Sequence, residues 1–338
     1  MSTRRLGEAL RKLYVDELGF LPPAISDEGI VTFRSTPMPR TIESLQQIIR
    51  GLVPHERQVE AGSSWIPKVV VRDPMEESLY PNTICAKLRK MESMYASAAA
   101  QKWEPELAKL DDKIAKYTEG PLRIDSSPRA SGVLDTMACC RAHGLPVPPE
   151  FEDPVILETL ERGISEEWFG GYDASPEFKR ISMGRLVGDL QSTLERKIAN
   201  REKRTEDPLK VAVYALHDTS ICGILHSLNC YDKKWPAFTS HIGLELFSRP
   251  HSSTTQSSFL SHFIRPFSST PAQEYFVRVR FNSKPLKIPA CQPNGKHLEG
   301  SQGYVCTFEA FKEAIKDVVM TAEEWEKACS GGVGGHRG

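Results

Sequence analysis

An imidazole and a carboxyl group stand side by side within Val211-Ala-Val-Tyr-Ala-Leu-His-Asp-Thr-Ser-Ile-Cys-Gly-Ile-Leu-His-Ser-Leu228. Together His217 and Asp218 can hold an anion and move a proton, the two operations that phosphate chemistry asks of side chains. A second polar cluster, Arg34-Ser-Thr-Pro-Met-Pro-Arg40, offers two guanidinium groups, whose planar fork matches phosphoryl oxygens.

Both clusters sit in the same local grammar. The segment from Val211 to Leu216 alternates small and large apolar residues, which predicts an interior strand. Ile221, Ile224, Leu225 and Leu228 then recur at helical spacing, with Asp218 or Thr219 as the cap and Asn229 as the stop. Ile30-Val-Thr-Phe33 predicts another strand, and Ile42, Leu45, Ile48, Ile49 and Leu52 mark an amphipathic helix after it. A strand feeding a helix N-terminus aims backbone N–H groups and a positive dipole end at one spot, which favours an anion. In open α/β folds two such turns can converge at the carboxyl edge of one sheet.

The rest of the chain must position these turns. It begins inside a predicted helix, Arg4 to Leu18, and Trp65 to Arg72 supplies a further strand. Residues 73–205 change character: helical patterns dominate around Leu88–Tyr117, Gly132–Gly144 and Phe178–Arg201, separated by joints such as Pro146-Val-Pro-Pro149. This predicts an inserted all-helical cap at 73–205, flanked by core segments 1–72 and 206–330. Ile242–Phe247 and Tyr275–Phe281 alternate as a strand pair. The Ser/Thr-rich stretch 249–273 is expected to be a flexible loop and 331–338 a disordered tail. Two short helices, near Phe308–Val319 and Ala322–Cys329, close the chain.

The 338 residues suffice for one large domain or a core with an inserted cap. Lys plus Arg number 43 against 44 for Asp plus Glu, so no global charge attracts nucleic acid or an anionic membrane. No apolar run is long enough to span a bilayer. The first residues carry no apolar signal segment, which makes a cytoplasmic location the default; a longer N-terminus would leave a secreted or organellar one open. The eight cysteines contain no CxxC pair, so a zinc site is not expected; no other metal and no cofactor is expected either. Free thiols are the expectation, with pairing among Cys291, Cys306 and Cys329 left open for an oxidising compartment.

The turn Arg34-Ser-Thr-x-x-x-Arg40-Thr41 and the later His217-Asp218-Thr219 resemble two of the three active-site motifs of the histidine acid phosphatase family. That family is the cap-containing branch of the histidine phosphatase superfamily, here in its fungal and lysophosphatidic-acid-phosphatase-like form. The likeness covers nearly the whole chain, from Leu10–Pro22 through Phe238–Phe247 to Val277–Asn282 and Cys306–Phe311. It implies a three-layer, phosphoglycerate-mutase-like α/β fold with helices on both faces of a sheet and a helical cap. It implies hydrolysis of a small-molecule phosphomonoester through a phosphohistidine. Arg34 matches a phosphate-binding arginine, His217 the second phosphate-binding histidine, and Asp218 the acid that protonates the leaving alkoxide. A positioned acid of that kind lowers a barrier by roughly 3–5 kcal/mol. Arg40 and Thr219 are expected to be structural near the site, and Glu245 is a candidate for orienting it.

The family's nucleophile lies in an Arg-His-Gly-x-Arg-x-Pro motif, which this sequence does not contain. The nearest string, Arg141-Ala-His143-Gly144-Leu-Pro146, lacks the arginine before the histidine and follows a cap helix; His143 is expected to be structural. The motif and the first strand would precede Leu6, ahead of Met1. Losing a nucleophile costs roughly a millionfold in turnover in another hydrolase. The chain by itself is therefore expected to be inactive or very weak, and poorly stable for want of an interior strand. The alternatives are a pseudophosphatase that binds phosphate or a partner without turnover and, against the size of the helical insertion, a phosphoglycerate-mutase-like phosphotransferase.

Overall fold

The computed structural model describes residues 2–25, 27, 29–250 and 273–330. The expected loop at 249–273 falls almost wholly outside them, as does the expected tail at 331–338.

Helix α1 (Ser2–Arg11) continues through a π-helical stretch, Lys12–Glu17, and packs against α2 (Pro39–Leu52). Two glycines make the approach possible. A Cβ on Gly7 would lie 2.2 Å from the Ile48 carbonyl oxygen, and one on Gly51 would lie 2.4 Å from that of Arg4. Strand β1 (Val31–Ser35) precedes α2, and the short α3 (His55–Glu60) and β2 (Val69–Val71) follow. The strand expected over Trp65 to Arg72 thus shortens to three residues at the sheet margin, where Val70 and Val71 are exposed.

The described elements between β2 and the next strand are all helical: α4 (Ala86–Ala108), α5 (Asp111–Ile114), α6 (Ala130–His143), α7 (Pro154–Ala174) and α8 (Pro176–Glu202), with short 3-10 turns. No helix is expected from the sequence pattern over α7. Its start is nevertheless encoded: Asp153 accepts the Val155 N–H, Pro154 takes the first helical position, and Ile156, Leu160 and Ile164 bury one stripe. That stripe packs with Trp103, Leu107, Leu122 and Phe151 into a core separate from those at the sheets, with Trp235 packed against it.

Strand β3 (Val211–Ala215) and helix α9 (Asp218–Ser227) return the chain to the sheet. β1 is central in a three-stranded parallel sheet, order β2-β1-β3, with Ser35 opposite Ala215. A second sheet is antiparallel: β4 (Ile242–Pro250) pairs with β5 (Gln273–Phe281), which also carries β6 (Lys284–Pro285) and β7 (Val305–Thr307). Helices α10 (Phe308–Ile315) and α11 (Ala322–Ser330) finish the fold.

The cysteines correct the expectation of free thiols in part: Cys139, Cys140, Cys222 and Cys230 are free, one bridge falls among the three residues whose pairing is left open, and the other reaches outside them. Cys85 at the mouth of α4 is bonded to Cys329 in α11, and Cys291 to Cys306. Their Cα atoms lie 5.0 and 5.3 Å apart, within the span a disulfide bridges. Sequence spacing hid the first pair, whose members stand 244 residues apart.

Candidate active site

The two polar turns meet because their strands are neighbours. Parallel pairing brings the carboxyl ends of β1 and β3 together, and the Thr36 N–H donates to the Ala215 carbonyl at 3.2 Å. Each strand then turns into a helix. Pro39 starts α2 with its φ already helical, and His217 caps α9 in an extended conformation. The cap is thus His217, not Asp218 or Thr219, and Asn229 after α9 takes a left-handed φ of 53°.

A relay of hydroxyl groups holds the His217 ring. Thr41 Oγ1 donates to the Met38 carbonyl at 2.8 Å, Thr36 Oγ1 lies 2.6 Å from Thr41 Oγ1, and His217 Nε2 lies 3.1 Å from Thr36 Oγ1. With the Thr41 proton committed to Met38, the Thr36 hydroxyl donates to Thr41 and Nε2–H donates to Thr36. Nδ1 is then the ring atom open to a ligand. Burial pushes the imidazole below its ordinary pKa, the Arg40 guanidinium adds to that, and Asp218 opposes it. The Asp218 carboxylate is oriented from both sides: Oδ1 accepts the Thr219 N–H at 2.8 Å, and Oδ2 accepts the Trp235 indole N–H at 2.9 Å. Tyr80 meets the His217 ring edge-on at 6.0 Å.

Arg40, His217 and Asp218 line two adjoining cavities. One, of about 680 Å³, reaches toward the cap helices past Tyr80, Glu92, Arg129 and Trp168. Burial raises the Glu92 carboxyl to about 7. The other, of about 2270 Å³, runs between β3 and β4.

Residues 1–282 match the family described as the histidine phosphatase superfamily, branch 2. The chain belongs to this superfamily. A probable acid phosphatase of Schizosaccharomyces pombe is 32% identical over 97% of this chain and 74% of its own length. The human lysophosphatidic acid phosphatase type 6 is 26% identical over 96% of this chain and 66% of its own length. Among solved structures, a Hafnia alvei phytase in complex with myo-inositol hexakis sulphate superposes with a TM-score of 0.55 at 12% identity, covering 97% of this chain and 86% of that one. The structural likeness supports the histidine-phosphatase fold, and the acid-phosphatase type of the family follows from its relatives.

Within this branch 2 fold the arginine assignment needs correction. Arg34 does not reach the cleft. Its guanidinium is buried in an acidic pocket, bonded to Glu77, to Ser78 Oγ at 3.0 Å and to Asp189 Oδ2 at 3.1 Å. Asp189 also accepts from Arg72 at 3.2 Å and from Ser78 at 2.6 Å. Arg40, the guanidinium expected to be structural, is the one exposed beside His217 and Asp218. Thr36 and Thr41 belong to the motif that carries the resemblance, and their place in it is the sequence signal for the relay. Trp235 and Tyr80 had none, since each arrives from a distant segment. His143 is exposed at the end of α6 and lines neither cavity. Glu245 accepts from Tyr14 and Arg278 at the wall of the larger cavity, with Arg280 at 3.3 Å.

Proposed function

We propose that this chain carries the phosphate-holding and acid-donating part of a phosphomonoesterase site. Arg40 and His217 hold the phosphoryl oxygens, and Asp218 delivers the proton to the leaving alkoxide. The observation that supports this is the convergence of these three side chains at the carboxyl ends of two adjacent parallel strands, beside the N-termini of α2 and α9. Guanidinium and imidazolium donors stabilise the charge that gathers on phosphoryl oxygens during transfer. The cavity beneath the cap is of a size to seat the leaving group.

The attacking histidine is not among the residues gathered there. His217 Nε2 is tied to Thr36, and its position beside Arg40 suits binding. Among the described residues the other histidine lining these cavities is His241, whose ring nitrogens face Ser283 Oγ at 3.2 Å and the Thr239 carbonyl at 3.5 Å. The chain alone therefore binds phosphate with little or no turnover. Titration calorimetry with inorganic phosphate, beside hydrolysis of an aryl phosphate at acidic pH, separates the outcomes. Saturable binding that Arg40→Ala and His217→Ala each weaken at least about tenfold, with hydrolysis near background, is expected. Rapid hydrolysis would show that a nucleophile is present, and no binding at all would remove the site.

A further inference from the structure

The smaller cavity runs from Arg40, His217 and Asp218 to a wall made by the cap, and that wall carries carboxyl groups among aromatic rings. Glu92 on α4 and Glu167 on α7 line it from two helices that pack side by side. Tyr80, Tyr95, Trp168 and Phe169 line it as well. We propose that this wall selects a leaving group that bears an ammonium group: the phosphoryl group rests on Arg40 and His217, and the ammonium group pairs with Glu92, which makes the substrate class an amino-alcohol phosphomonoester. The phosphate-holding reading of Arg40 and His217 is the premise, and the identity of the leaving group is what the cap wall adds.

The carboxyl groups of the wall outnumber the cations free to meet them. Arg129 is bonded to Glu167 and donates to the Ile124 carbonyl at 3.2 Å, and Arg89 donates to the Thr83 carbonyl at 3.1 Å. Glu92 has neither a hydrogen bond nor an ion pair among the described residues. In Glu167, which is 6% exposed, the Oε2 atom is buried without a hydrogen-bond partner. Asp125 adds a further carboxyl group at an exposed position of the lining. An ammonium group has donors and no acceptor, an ionised carboxylate acceptors and no donor, so each supplies what the other lacks. The faces of the aromatic rings attract the same cation. Burial raises the Glu92 carboxyl to about 7, the direction taken by a carboxyl with no cation beside it.

Other leaving groups meet this wall less well. A long acyl group would bury Glu92 against hydrocarbon with no partner, which is costly for a charged group. A polyol would bring hydroxyl donors to Glu92 and leave its charge uncompensated. A second anionic group would meet Glu92, Asp125 and Glu167 as like charges.

Titration calorimetry on the full chain at about pH 7.5, where Glu92 is largely ionised, tests the proposal. The probes are three series of phosphomonoesters matched in length, ending in an amino, a hydroxyl or a methyl group, with spacers of about two to five carbons. At one spacer length or more, the amino ester should bind at least about tenfold tighter than its hydroxyl and methyl counterparts. Glu92→Gln should bring that ratio to within about twofold of unity. Hydroxyl esters that equal the amino esters would make the wall a polyol site, and tighter methyl-ended esters would make it an acyl site; either result overturns the proposal. An amino preference that Glu92→Gln leaves intact overturns it too. The ester comparison uses the unaltered chain, so it decides the matter even if the variant does not fold. Inorganic phosphate, titrated alongside, separates the two readings. Phosphate binding without an amino preference overturns this proposal alone, and no binding of phosphate or of any ester overturns the phosphate reading and this proposal together.

Discussion

β1 and β3 are adjacent strands of one parallel sheet, and each runs through a short polar turn into a helix. They differ in what lies on their far side. β1 has a partner on both edges, and only Thr32 of its five residues is exposed; β3 has β1 on one edge and the larger cavity on the other, and only Ala215 is buried. The arginine that ends inside β1 is locked among carboxylates, whereas the histidine that follows β3 opens on a cavity. The same local grammar thus buries the charged residue at the end of β1 and leaves the one after β3 open, with Arg40, further along the first turn, reaching the cavity.

The sharpest test of that contrast is paired truncation. Phe33→Ala in β1 removes a ring that is 1% exposed and should cost about 4 kcal/mol in denaturant unfolding. Val213→Ala in β3 should cost about 1 kcal/mol, because its surroundings are only half closed. Equal costs would show that β3 is as enclosed as β1. The two arginines give the next pair. Arg34→Met strands Glu77, which is 0% exposed, and should cost about 3 kcal/mol. Arg40→Met should leave stability within about 0.5 kcal/mol and weaken phosphate binding about tenfold to a hundredfold. If Arg34→Met folded normally and lost phosphate, Arg34 would regain the role that its motif suggested.

These pairs also show how far the sequence carried. Strand and helix identities around both turns were legible, because apolar periodicity and Pro39 encode them directly. The side on which a side chain emerges was not. The motif assigns the phosphate to Arg34 and a structural place to Arg40, and only the carboxylates of Glu77 and Asp189, 43 and 155 residues away, draw Arg34 into the interior. The Trp235 bond to Asp218 and the Cys85–Cys329 bridge were hidden for the same reason: their partners meet only when the chain has folded.

The pH dependence of phosphate binding follows from the enclosure of His217. Burial and Arg40 lower its pKa below the ordinary 6.5, so the ring is neutral above that value and Nδ1 accepts rather than donates. As pH falls through the lowered pKa, Nδ1 gains a proton and becomes a donor to the anion. Phosphate affinity should therefore rise on acidification, by up to about tenfold per pH unit if one proton is taken up. The stability contribution has the opposite sense. A depressed histidine pKa means that the unfolded chain binds the proton first, so stability falls as pH drops from 6.5 through the folded value. Bound phosphate should offset part of that loss. Calorimetry in buffers of different ionisation enthalpy measures the proton uptake, and uptake that His217→Gln leaves unchanged would assign it to another group.

The smallest effect tests whether the closed strand governs the open one. Thr36 is fully buried at the end of β1, and its hydroxyl is the only described partner of His217 Nε2. Thr36→Val keeps the shape and removes the relay. The loss of two buried hydrogen bonds, to Thr41 and from His217, should cost about 1–3 kcal/mol in stability. The ring should then populate both neutral tautomers, and phosphate affinity should fall by about fivefold, since protonation no longer occurs on a prepared Nδ1. Nitrogen chemical shifts of His217 separate this from simple loosening: a positioning role predicts a shift from the Nε2–H tautomer toward a mixture, with phosphate partly restoring the single form. An unchanged tautomer with weakened stability would reduce Thr36 to a packing residue and leave the His217 ring held by burial alone.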